Sequence, residues 1–314
     1  MKQLALDLLQ VTEAAALAAV PWIGRGNKLG ADDAATTAMR KLLNAMPIDG
    51  CVVIGEGEMD EAPMLYIGER VGMGQGPLLD IAVDPLEGTN LVAGGWDNSC
   101  AVIAVAPRGA LLHAPDMYME KIAVGRRAAG AIDLNASILD NMKRTADALN
   151  KRISELTVII QHRDRHKSVI EDIQKTGARV RLFSEGDVTC AIAAALDKTG
   201  VDLFYGVGGA PEGVLSAVAL KCMGGEMQAR LLPADRREHE RCVRMGLSDP
   251  GRVLRMEELV SSDDCIFAAT GVTSGMLLEG VKLGRGIEAT THSLLTCGDM
   301  ESVHFIRSVR AATG

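Results

Sequence analysis

The second half of the chain alternates short apolar runs with amphipathic stretches, and this alternation limits the possible fold more than any other feature. Each apolar run is long enough for a buried strand, and each is followed by a helical pattern. In chain order the runs and the helical stretches occupy residues 156–160, 168–176, 180–183, 187–197, 201–205 and 212–223. Strands and helices that alternate at this spacing form βαβ units with a largely parallel sheet. We therefore expect an α/β fold in this half.

The first half follows a different pattern, in which two helices precede several short strands. Residues 4–20 form an amphipathic helix pattern that ends at Pro21, and a second helix is expected at 31–44. The expected strands lie at residues 50–55, 78–83 and 101–105, with two late strands at 265–270 and 303–309. Glycines and prolines mark the turns between them. This pattern predicts a mixed α+β unit.

The length of the chain predicts two domains, because 314 residues exceed what one hydrophobic core usually supports. A charged stretch at 143–152 marks the expected boundary. We assign residues 1–150 to an α+β domain with a metal and phosphate site, and residues 151–314 to an α/β substrate domain. Residues 230–253 are expected to be irregular. The last strand either joins the second sheet or returns to the first domain.

The charge of the chain excludes some classes of partner. The formal net charge is −8 and no block of Lys and Arg occurs, which argues against binding to nucleic acid. A phosphorylated small molecule is still compatible with this charge if carboxylates first bind divalent cations. The seven cysteines are scattered without a C-x-x-C pair, a pattern typical of reduced thiols in a cytosolic protein.

The apolar stretch at 14–23 resembles part of a signal peptide, but Asp7 and Glu13 lie in or beside it, where signal peptides avoid acidic residues. No uninterrupted run of 18 apolar residues occurs, so no membrane span is expected. We expect a cytoplasmic protein without a membrane partner.

Three acidic clusters lie where the predicted secondary structure changes, and they indicate a metal site. The clusters are Asp32-Asp33, Glu56-Gly-Glu58-Met-Asp60-Glu61 and Asp84-Pro-Leu-Glu87-Gly-Thr. Glu56 and Asp84 each follow a strand directly, at the end where α/β proteins place ligands. Hard divalent cations prefer oxygen ligands from several carboxylates. Any one of these acids alone is more typical of a helix cap or a solvated loop.

The hexapeptide from Asp84 to Thr89 is the most specific of the three clusters. A strand leads into two acids around a rigid proline, and Gly88 and Thr89 then open a helix-like stretch. Backbone N–H groups at such a point can hold a phosphate, and glycine permits its close approach. The Thr89 hydroxyl can meet the scissile phosphate or a water molecule on the metal. The alternative for Thr89 is a helix N-cap.

This hexapeptide resembles the D-P-[LI]-[DE]-G-T signature of the lithium-sensitive, metal-dependent sugar and inositol phosphatases. The chain as a whole is most similar to class II (GlpX-type) fructose-1,6-bisphosphatases, whose segments occur in the family order over most of its length. The other matching segments are G-R-G-N-K-L-G-A-D (24–32), V-V-I-G-E-G-E-M-D-E-A-P-M-L (52–65), A-P-D-M-Y-M-E-K (114–121) and G-V-G-G-A-P-E-G-V (206–214). The resemblance implies a two-domain α/β sugar-phosphatase fold with αβαβα layers.

The resemblance also implies a role for each matching residue. The metal-ligand positions are Asp32, Glu56, Asp84, Glu87 and Glu212, and the catalytic positions are Asp60 and Thr89. The substrate-binding positions are Glu87, Gly88, Thr89, Tyr118, Arg163, Asp164, Arg165, Glu185, Gly186, Asp187 and Gly209. Either Asp60 orients Thr89, which then polarises water, or Thr89 itself attacks and gives its proton to Asp60.

The activity that the resemblance implies is hydrolysis of the 1-phosphate of fructose 1,6-bisphosphate, a step of gluconeogenesis, with Mg²⁺ or Mn²⁺. Sedoheptulose 1,7-bisphosphate is a second expected substrate, and a homo-oligomer (dimer or tetramer) is the expected assembly. The chain departs from many relatives at Asn90, Arg163 and Glu185, which leaves the substrate preference open.

Other functions remain compatible with the sequence. The same fold serves inositol phosphates and nucleotide 3′-phosphates, and a non-enzymatic sugar-phosphate sensor is a further alternative. The stretch 206–213 also resembles a dinucleotide-binding loop, but Pro211 stands where the third glycine belongs. Arg163 and Arg165 suit a distal phosphate or a solvated loop, and Tyr118 suits a sugar contact or a structural role.

Overall fold

The computed structural model describes residues 1–55, 65–284, 288–298 and 302–311. It divides the chain into two compact units. The first unit combines Met1–Leu111 with Ser262–Gly314, and the second unit is Leu112–Ser261.

The described residues form both helices and strands, so the structure has the predicted α/β composition. The helices are α1 (Ala5–Ala19), α2 (Lys28–Asn44), α3 (Thr89–Gly94), α4 (Ile138–Leu149), α5 (Lys167–Lys175), α6 (Asp187–Ala193), α7 (Ala210–Cys222), α8 (Arg236–Arg244) and α9 (Met256–Leu259). The strands are β1 (Asp49–Ile54), β2 (Arg70–Val71), β3 (Leu78–Glu87), β4 (Cys100–Pro107), β5 (Tyr118–Val124), β6 (Thr157–Gln161), β7 (Arg179–Phe183), β8 (Leu203–Gly209), β9 (Glu226–Leu231), β10 (Ile266–Gly271), β11 (Lys282–Leu283), β12 (Glu288–Cys297) and β13 (Val303–Ala311).

The first unit is built on one sheet with the strand order β11-β12-β10-β4-β3-β1-β2, in which β13 also pairs with β12. Strands β1 and β3 are parallel, whereas β3, β4, β10, β12 and β13 pair in antiparallel fashion. Aliphatic side chains of α1 and α2, including Leu8 and Met39, pack with Ile81 and Ile103 of the sheet. Because β13 pairs with β12 over nine residues, the last strand belongs to this unit.

Helix α1 joins this core although its composition also suits a membrane. Among the described residues, Lys2–Trp22 is the segment that is long and apolar enough to cross a bilayer, and half of its most apolar window is buried. Glu13 is fully buried, accepts a hydrogen bond from Thr291 Oγ1 at 2.9 Å and pairs with Arg310. A buried carboxylate needs such partners inside a protein. We therefore interpret Lys2–Trp22 as a core helix of the first unit.

The second unit contains a mixed sheet with the strand order β7-β6-β8-β5-β9. Strand β6 is parallel to β7 and β8, as the alternating pattern predicted. Strand β5 is antiparallel to both of its neighbours, β8 and β9, so the sheet is less parallel than expected. One core packs between this sheet and helices α4 and α5, with Met142, Val158, Ile173 and Leu203 among its members.

The division between the units differs from the boundary expected near residue 150. Strand β5 precedes that boundary but lies between β8 and β9, so its residues cannot be separated from the second sheet. The charged stretch at 143–152 belongs largely to helix α4, which buries Met142 and Ala146 and leaves its charges exposed. Charge density here marks the solvent face of an amphipathic helix rather than a linker.

The expectation of irregular structure at 230–253 was also wrong in part. Helix α8 lies within this stretch, and the side chain of Asp235 caps its N-terminus by accepting the Glu238 backbone N–H at 2.9 Å. Of its nine residues only Cys242 is buried. Most residues of this helix are charged, so the stretch was expected to be irregular because of its composition.

Candidate active site

The end of strand β3 carries two predicted metal ligands, Asp84 and Glu87, which are only 7% and 3% exposed. The pairing of β3 with β4 shifts its register between these two residues. Asp84 Oδ1 accepts the Leu86 backbone N–H at 3.0 Å, and the Cys100 thiol donates to Glu87 Oε2 at 3.3 Å. Both carboxylates are therefore enclosed in the unit, and the alternative of a solvated loop is wrong for them.

Gly88 separates the strand from helix α3. Its φ of 80° lies in the left-handed region, and a Cβ there would lie 2.7 Å from Leu91 Cδ1. Both the conformation and the space therefore require glycine. Gly88 is also the N-cap of α3, whose first residue is Thr89, and no side chain caps the described helix. The alternative role of Thr89 as an N-cap is thus wrong.

Asp32 lies in the second turn of α2 and is 9% exposed. The loop before α2 is fastened to α3, because the backbone N–H groups of Gly24 and Gly26 donate to Val92 O at 2.8 Å and Ala93 O at 2.9 Å. The same loop ends at Asn27, whose side chain caps α2. These hydrogen bonds tie the helix that carries Asp32 to the helix that begins at Thr89.

The predicted site in the second unit lies at one edge of its sheet. Strands β6, β7 and β8 run parallel, so the loops after Gln161 and Phe183 and the helix after Gly209 all start from carboxyl ends of strands. Tyr118 starts the antiparallel strand β5 and pairs with Gly209 at the same edge. Carboxyl ends of parallel strands are where open α/β sheets place ligands.

Arg165 and Tyr118 are brought into contact at this edge. The Arg165 guanidinium lies 5.0 Å from the centre of the Tyr118 ring, which is a cation–π arrangement. Arg165 also donates to Val207 O from Nε at 3.0 Å and from Nη2 at 2.6 Å, and Nη2 donates to Gln161 Oε1 at 2.9 Å. Arg165 is therefore fixed, and Tyr118 lies beside it with 55% of its surface exposed.

The two predicted substrate loops lie side by side. Arg163 Nη2 is 3.7 Å from Glu185 Oε1, and the side chain of Gln161 donates to Ser184 O at 2.9 Å. Asp164 is exposed on the turn between Arg163 and Arg165. The second loop ends at Gly186, whose φ of 100° places it in the left-handed region before α6 begins at Asp187.

A buried lysine that the sequence analysis did not select joins two of the predicted positions. Lys121 on β5 is 1% exposed, and its Nζ donates to Asp187 Oδ2 at 2.7 Å and to Gly209 O at 3.0 Å. Burial raises the pKa of the Glu212 carboxyl, whereas the Lys121 charge acts to lower it. The signal in the sequence was a single lysine inside the apolar strand M-E-K-I-A-V.

The side chains present fit a hard divalent cation by their chemistry. Oxygen ligands suit Mg²⁺ and Mn²⁺, and Glu212 Oε2 is buried without a hydrogen-bond partner among the described residues. The described ranges alone hold no cluster of three or more His, Cys, Asp or Glu side chains placed to bind a metal. The predicted ligand Glu56 and the predicted catalytic residue Asp60 lie outside these ranges.

A family model described as bacterial fructose-1,6-bisphosphatase, glpX-encoded, matches residues 2–310. The chain belongs to this family. It is 48% identical to the class 2 fructose-1,6-bisphosphatase 1 of Escherichia coli K12, over 98% of this chain and 95% of that protein. It is 45% identical to the class 2 fructose-1,6-bisphosphatase of Haemophilus influenzae, over 98% of this chain and 96% of that protein.

Membership of the GlpX-type family confirms the resemblance that the motifs indicated. The match covers both units, and the relatives are phosphatases. An enzyme that hydrolyses a phosphate ester is therefore supported, whereas a dinucleotide-binding protein or a sensor is not favoured. The GlpX-type family is metal-dependent, which agrees with the buried carboxylates of Asp84 and Glu87.

His166 supports the turn that carries Arg165. Its buried ring lies with Nδ1 2.8 Å from Gln161 O, and Nε2 accepts the Val207 N–H at 2.9 Å. A neutral imidazole protonated on Nδ1 satisfies both contacts. Burial lowers the pKa of His166, so its contacts and its surroundings both favour the neutral ring.

We expect His166 to make the free energy of unfolding fall with decreasing pH. Below about pH 6.5 the unfolded chain takes up a proton at this histidine that the folded chain refuses, until the lower folded pKa is reached. Urea unfolding with chelator present, between about pH 5 and 8, measures this slope. The variant His166→Asn should lose that part of the slope, whereas His162→Asn, at an exposed neighbour, should keep it. An unchanged slope in His166→Asn would contradict the assignment.

A second prediction concerns Gly209, where a Cβ would lie 2.0 Å from Glu212 Oε2. We expect Gly209→Ala to displace that carboxylate and to weaken Mn²⁺ binding by about tenfold or more, since misplaced ligands cost this much affinity. Titration of Mn²⁺ by electron paramagnetic resonance measures the change. The control is Gly206→Ala on the same strand, whose Cβ would make ordinary contacts of 3.6 and 3.9 Å. Equal Mn²⁺ affinity in the two variants would exclude Glu212 as a ligand.

Proposed function

We propose that this chain hydrolyses fructose 1,6-bisphosphate to fructose 6-phosphate and phosphate, the reaction named in its relatives. One observation carries the proposal: within a chain that matches the family over residues 2–310, two buried carboxylates end β3 directly before the glycine and threonine that open α3. This arrangement supplies anionic ligands for a cation beside a backbone seat for a phosphate.

The metal ligands that we propose are all carboxylates from separate segments. They are Asp32, Glu56, Asp84, Glu87 and Glu212. When bound, Mg²⁺ or Mn²⁺ would supply the positive charge that hydrolysis of a phosphate dianion requires. Because Asp84 and Glu87 are buried, water screens their charges less, and they attract a cation more strongly than surface carboxylates do.

The remaining groups of this segment would act on the phosphate and on a proton. Gly88 allows the backbone to approach the phosphate, and Thr89 supplies a hydroxyl that the helix does not use for capping. In one version the Asp60 carboxylate orients Thr89 toward water, and in the other it accepts the proton of Thr89 as its oxygen attacks phosphorus. Both versions need a carboxylate at position 60.

Recognition of the distal phosphate and the sugar is assigned to the edge of the second sheet. Arg165 uses Nε and Nη2 for its protein contacts, which leaves the two donors of Nη1 for a phosphate. Tyr118 offers an exposed ring and hydroxyl to a sugar. The other proposed substrate contacts are Arg163, Asp164, Glu185, Gly186, Asp187 and the backbone of Gly209.

The proposal also covers which phosphate is removed, the second substrate, the cellular compartment and the assembly. We propose that the 1-phosphate is removed, that sedoheptulose 1,7-bisphosphate is also a substrate, and that the enzyme acts in the cytoplasm as a dimer or tetramer. Light scattering of the purified chain measures the assembly, and nuclear magnetic resonance of the product identifies the phosphate that remains.

The test is phosphate release by the purified full chain from four substrates. These are fructose 1,6-bisphosphate, sedoheptulose 1,7-bisphosphate, inositol 1-phosphate and adenosine 3′,5′-bisphosphate, each with Mg²⁺, Mn²⁺ or chelator. We expect release from the sugar bisphosphates that needs the cation, with kcat/KM at least about tenfold above the other two, or about 1.4 kcal/mol in transition-state binding. A preference for inositol 1-phosphate would support the phosphatase activity but contradict the proposed sugar-bisphosphate substrate.

A further inference from the structure

The side chain of Lys121 is the most enclosed charged group in the second unit that the proposed reaction does not use. Strand β5 carries it into the interior, where it is 1% exposed. Nζ donates to Asp187 Oδ2 at 2.7 Å and to the Gly209 carbonyl at 3.0 Å. An ammonium group in such a place is tolerated only if it is paired and hydrogen-bonded, because loss of its hydration is costly.

The surrounding backbone has space for this lysine only because of glycines. A Cβ on Gly208 would lie 2.1 Å from Asp187 Oδ2 and 3.1 Å from Lys121 Nζ. A Cβ on Gly213 would lie 2.4 Å from Met119 Sδ and 3.3 Å from Lys121 Cδ. The end of β8 and the start of α7 therefore pack closely around the ammonium group and the carboxylate that it holds.

The groups that Lys121 contacts are the ones that the proposed site needs. Asp187 and Gly209 are both proposed substrate contacts, and they come from different elements, the start of α6 and the end of β8. A single buried cation fixes one oxygen of each. If the lysine served folding alone, there would be no reason for both of its partners to belong to this set.

We propose that Lys121 is a positioning residue, which holds the Asp187 carboxylate and the Gly209 carbonyl in the geometry that binds the sugar bisphosphate. The inference rests on the proposed function, since it concerns the substrate of that site. Lys121 acts through Asp187 and Gly209 rather than on the reacting phosphate. Its loss should therefore raise KM and leave kcat nearly unchanged, the pattern of an interaction made equally in the ground state and the transition state.

The first test replaces the ammonium group in the full chain, with fructose 1,6-bisphosphate and saturating Mg²⁺. We expect Lys121→Met to raise KM by about 10- to 100-fold, the range for hydrogen bonds to charged groups, with kcat changed less than about threefold. Asp187→Asn should raise KM similarly, and the double variant should be no worse than Asp187→Asn alone, because the two residues act as one unit.

The control for a purely structural effect is Lys151→Met. Lys151 Nζ pairs with the buried Asp202 at 2.5 Å in the same unit, but no proposed site residue takes part. Thermal unfolding should show a loss of stability in both lysine variants, whereas KM should rise only in Lys121→Met. An equal change of KM in both variants, or a fully additive double variant, would overturn the positioning role.

A second test changes no charged residue and can be used if Lys121→Met does not fold. Gly208→Ala should push the Asp187 carboxylate away from Lys121 and raise KM by about tenfold, while Gly206→Ala on the same strand should not. Wild-type KM in Gly208→Ala would contradict the proposal. A wild-type chain that releases no phosphate would overturn the proposed function and this inference with it. An active wild type whose variants show unchanged KM would overturn the inference alone.

Discussion

Replacing Asp84 with asparagine is expected to lower kcat for phosphate release by about 10³-fold or more, because a proposed cation ligand loses its charge inside a buried site. The fold should survive, since the asparagine carbonyl can still accept the Leu86 N–H that Asp84 Oδ1 accepts at 3.0 Å. Steady-state kinetics over a range of Mg²⁺ and Mn²⁺ concentrations, with urea unfolding of the same samples, measure both effects.

The same strand offers a matched control for this variant. Asp80 lies four residues earlier on β3 and is fully buried. Its Oδ2 accepts the backbone N–H groups of Gly109 at 2.7 Å and Leu111 at 3.3 Å, and Arg108 pairs with it at 3.3 Å. Asp80 is thus bound to the turn after β4 by these contacts, which are those of a structural residue.

Asp80→Asn is therefore expected to show the opposite pattern. The amide replaces an acceptor by a donor in a buried turn, which should reduce the free energy of unfolding by about 1–3 kcal/mol. The rate of phosphate release in the folded fraction should remain within about threefold of the wild type. Asp84→Asn with kcat within tenfold of wild type, or the same loss of rate in both variants, would contradict the assignment of Asp84 as a ligand.

The contrast between these two acids shows what the sequence was able to predict. The pattern of an acid at the end of a strand, followed by proline, acid, glycine and threonine, is local, and the structure confirms a strand and a helix start at these residues. Asp80 has no such local context. Its partners come from the far end of β4, and this pairing is a property of the sheet rather than of neighbouring residues.

The same limit applies to the second unit. The apolar runs of β6 and β8 were predicted because buried parallel strands are continuous aliphatic stretches. Strand β7 was predicted as well, although it lies at the edge of the sheet and is largely exposed. Strand β5 was missed, since Glu120 and Lys121 interrupt its apolar pattern, and the boundary between the units was misplaced as a result. The contact of Arg165 with Tyr118 joins residues 47 positions apart, so only the folded sheet shows it.

The second large effect is expected at Thr89, where Thr89→Val should lower kcat by about 10²- to 10⁴-fold, the usual contribution of a group that transfers or orients a proton. In the structure, the Thr89 hydroxyl can be removed without loss of a helix cap. Gly88 is the N-cap of α3, so removal of the hydroxyl takes no capping hydrogen bond from the helix. Stability should therefore change by less than about 0.5 kcal/mol.

Two further variants are controls for this test. One separates the effect of the Thr89 hydroxyl from that of its methyl group, and the other measures the effect of removing a buried threonine hydroxyl elsewhere. Thr89→Ser retains the hydroxyl and should keep kcat within about tenfold of wild type. Thr12→Val removes a fully buried hydroxyl of the first unit, which donates to Leu9 O at 2.9 Å, and should reduce stability but not kcat. A Thr89→Val enzyme with wild-type kcat would remove Thr89 from the mechanism.

The two versions of the attack step differ in what happens to the Thr89 oxygen. If Thr89 attacks phosphorus, its Oγ–P bond forms as the bond to the sugar oxygen breaks, and the phosphate stays on the protein until water releases it. Rapid acid quench and mass spectrometry of the wild type would then show a phosphorylated peptide that contains residue 89. If Thr89 only orients water, no such peptide forms at any quench time, although one atom of solvent oxygen enters each released phosphate in either version. Because Asp60 serves both versions, replacing it with Asn should slow both, so the quenched peptide rather than the rate decides between them.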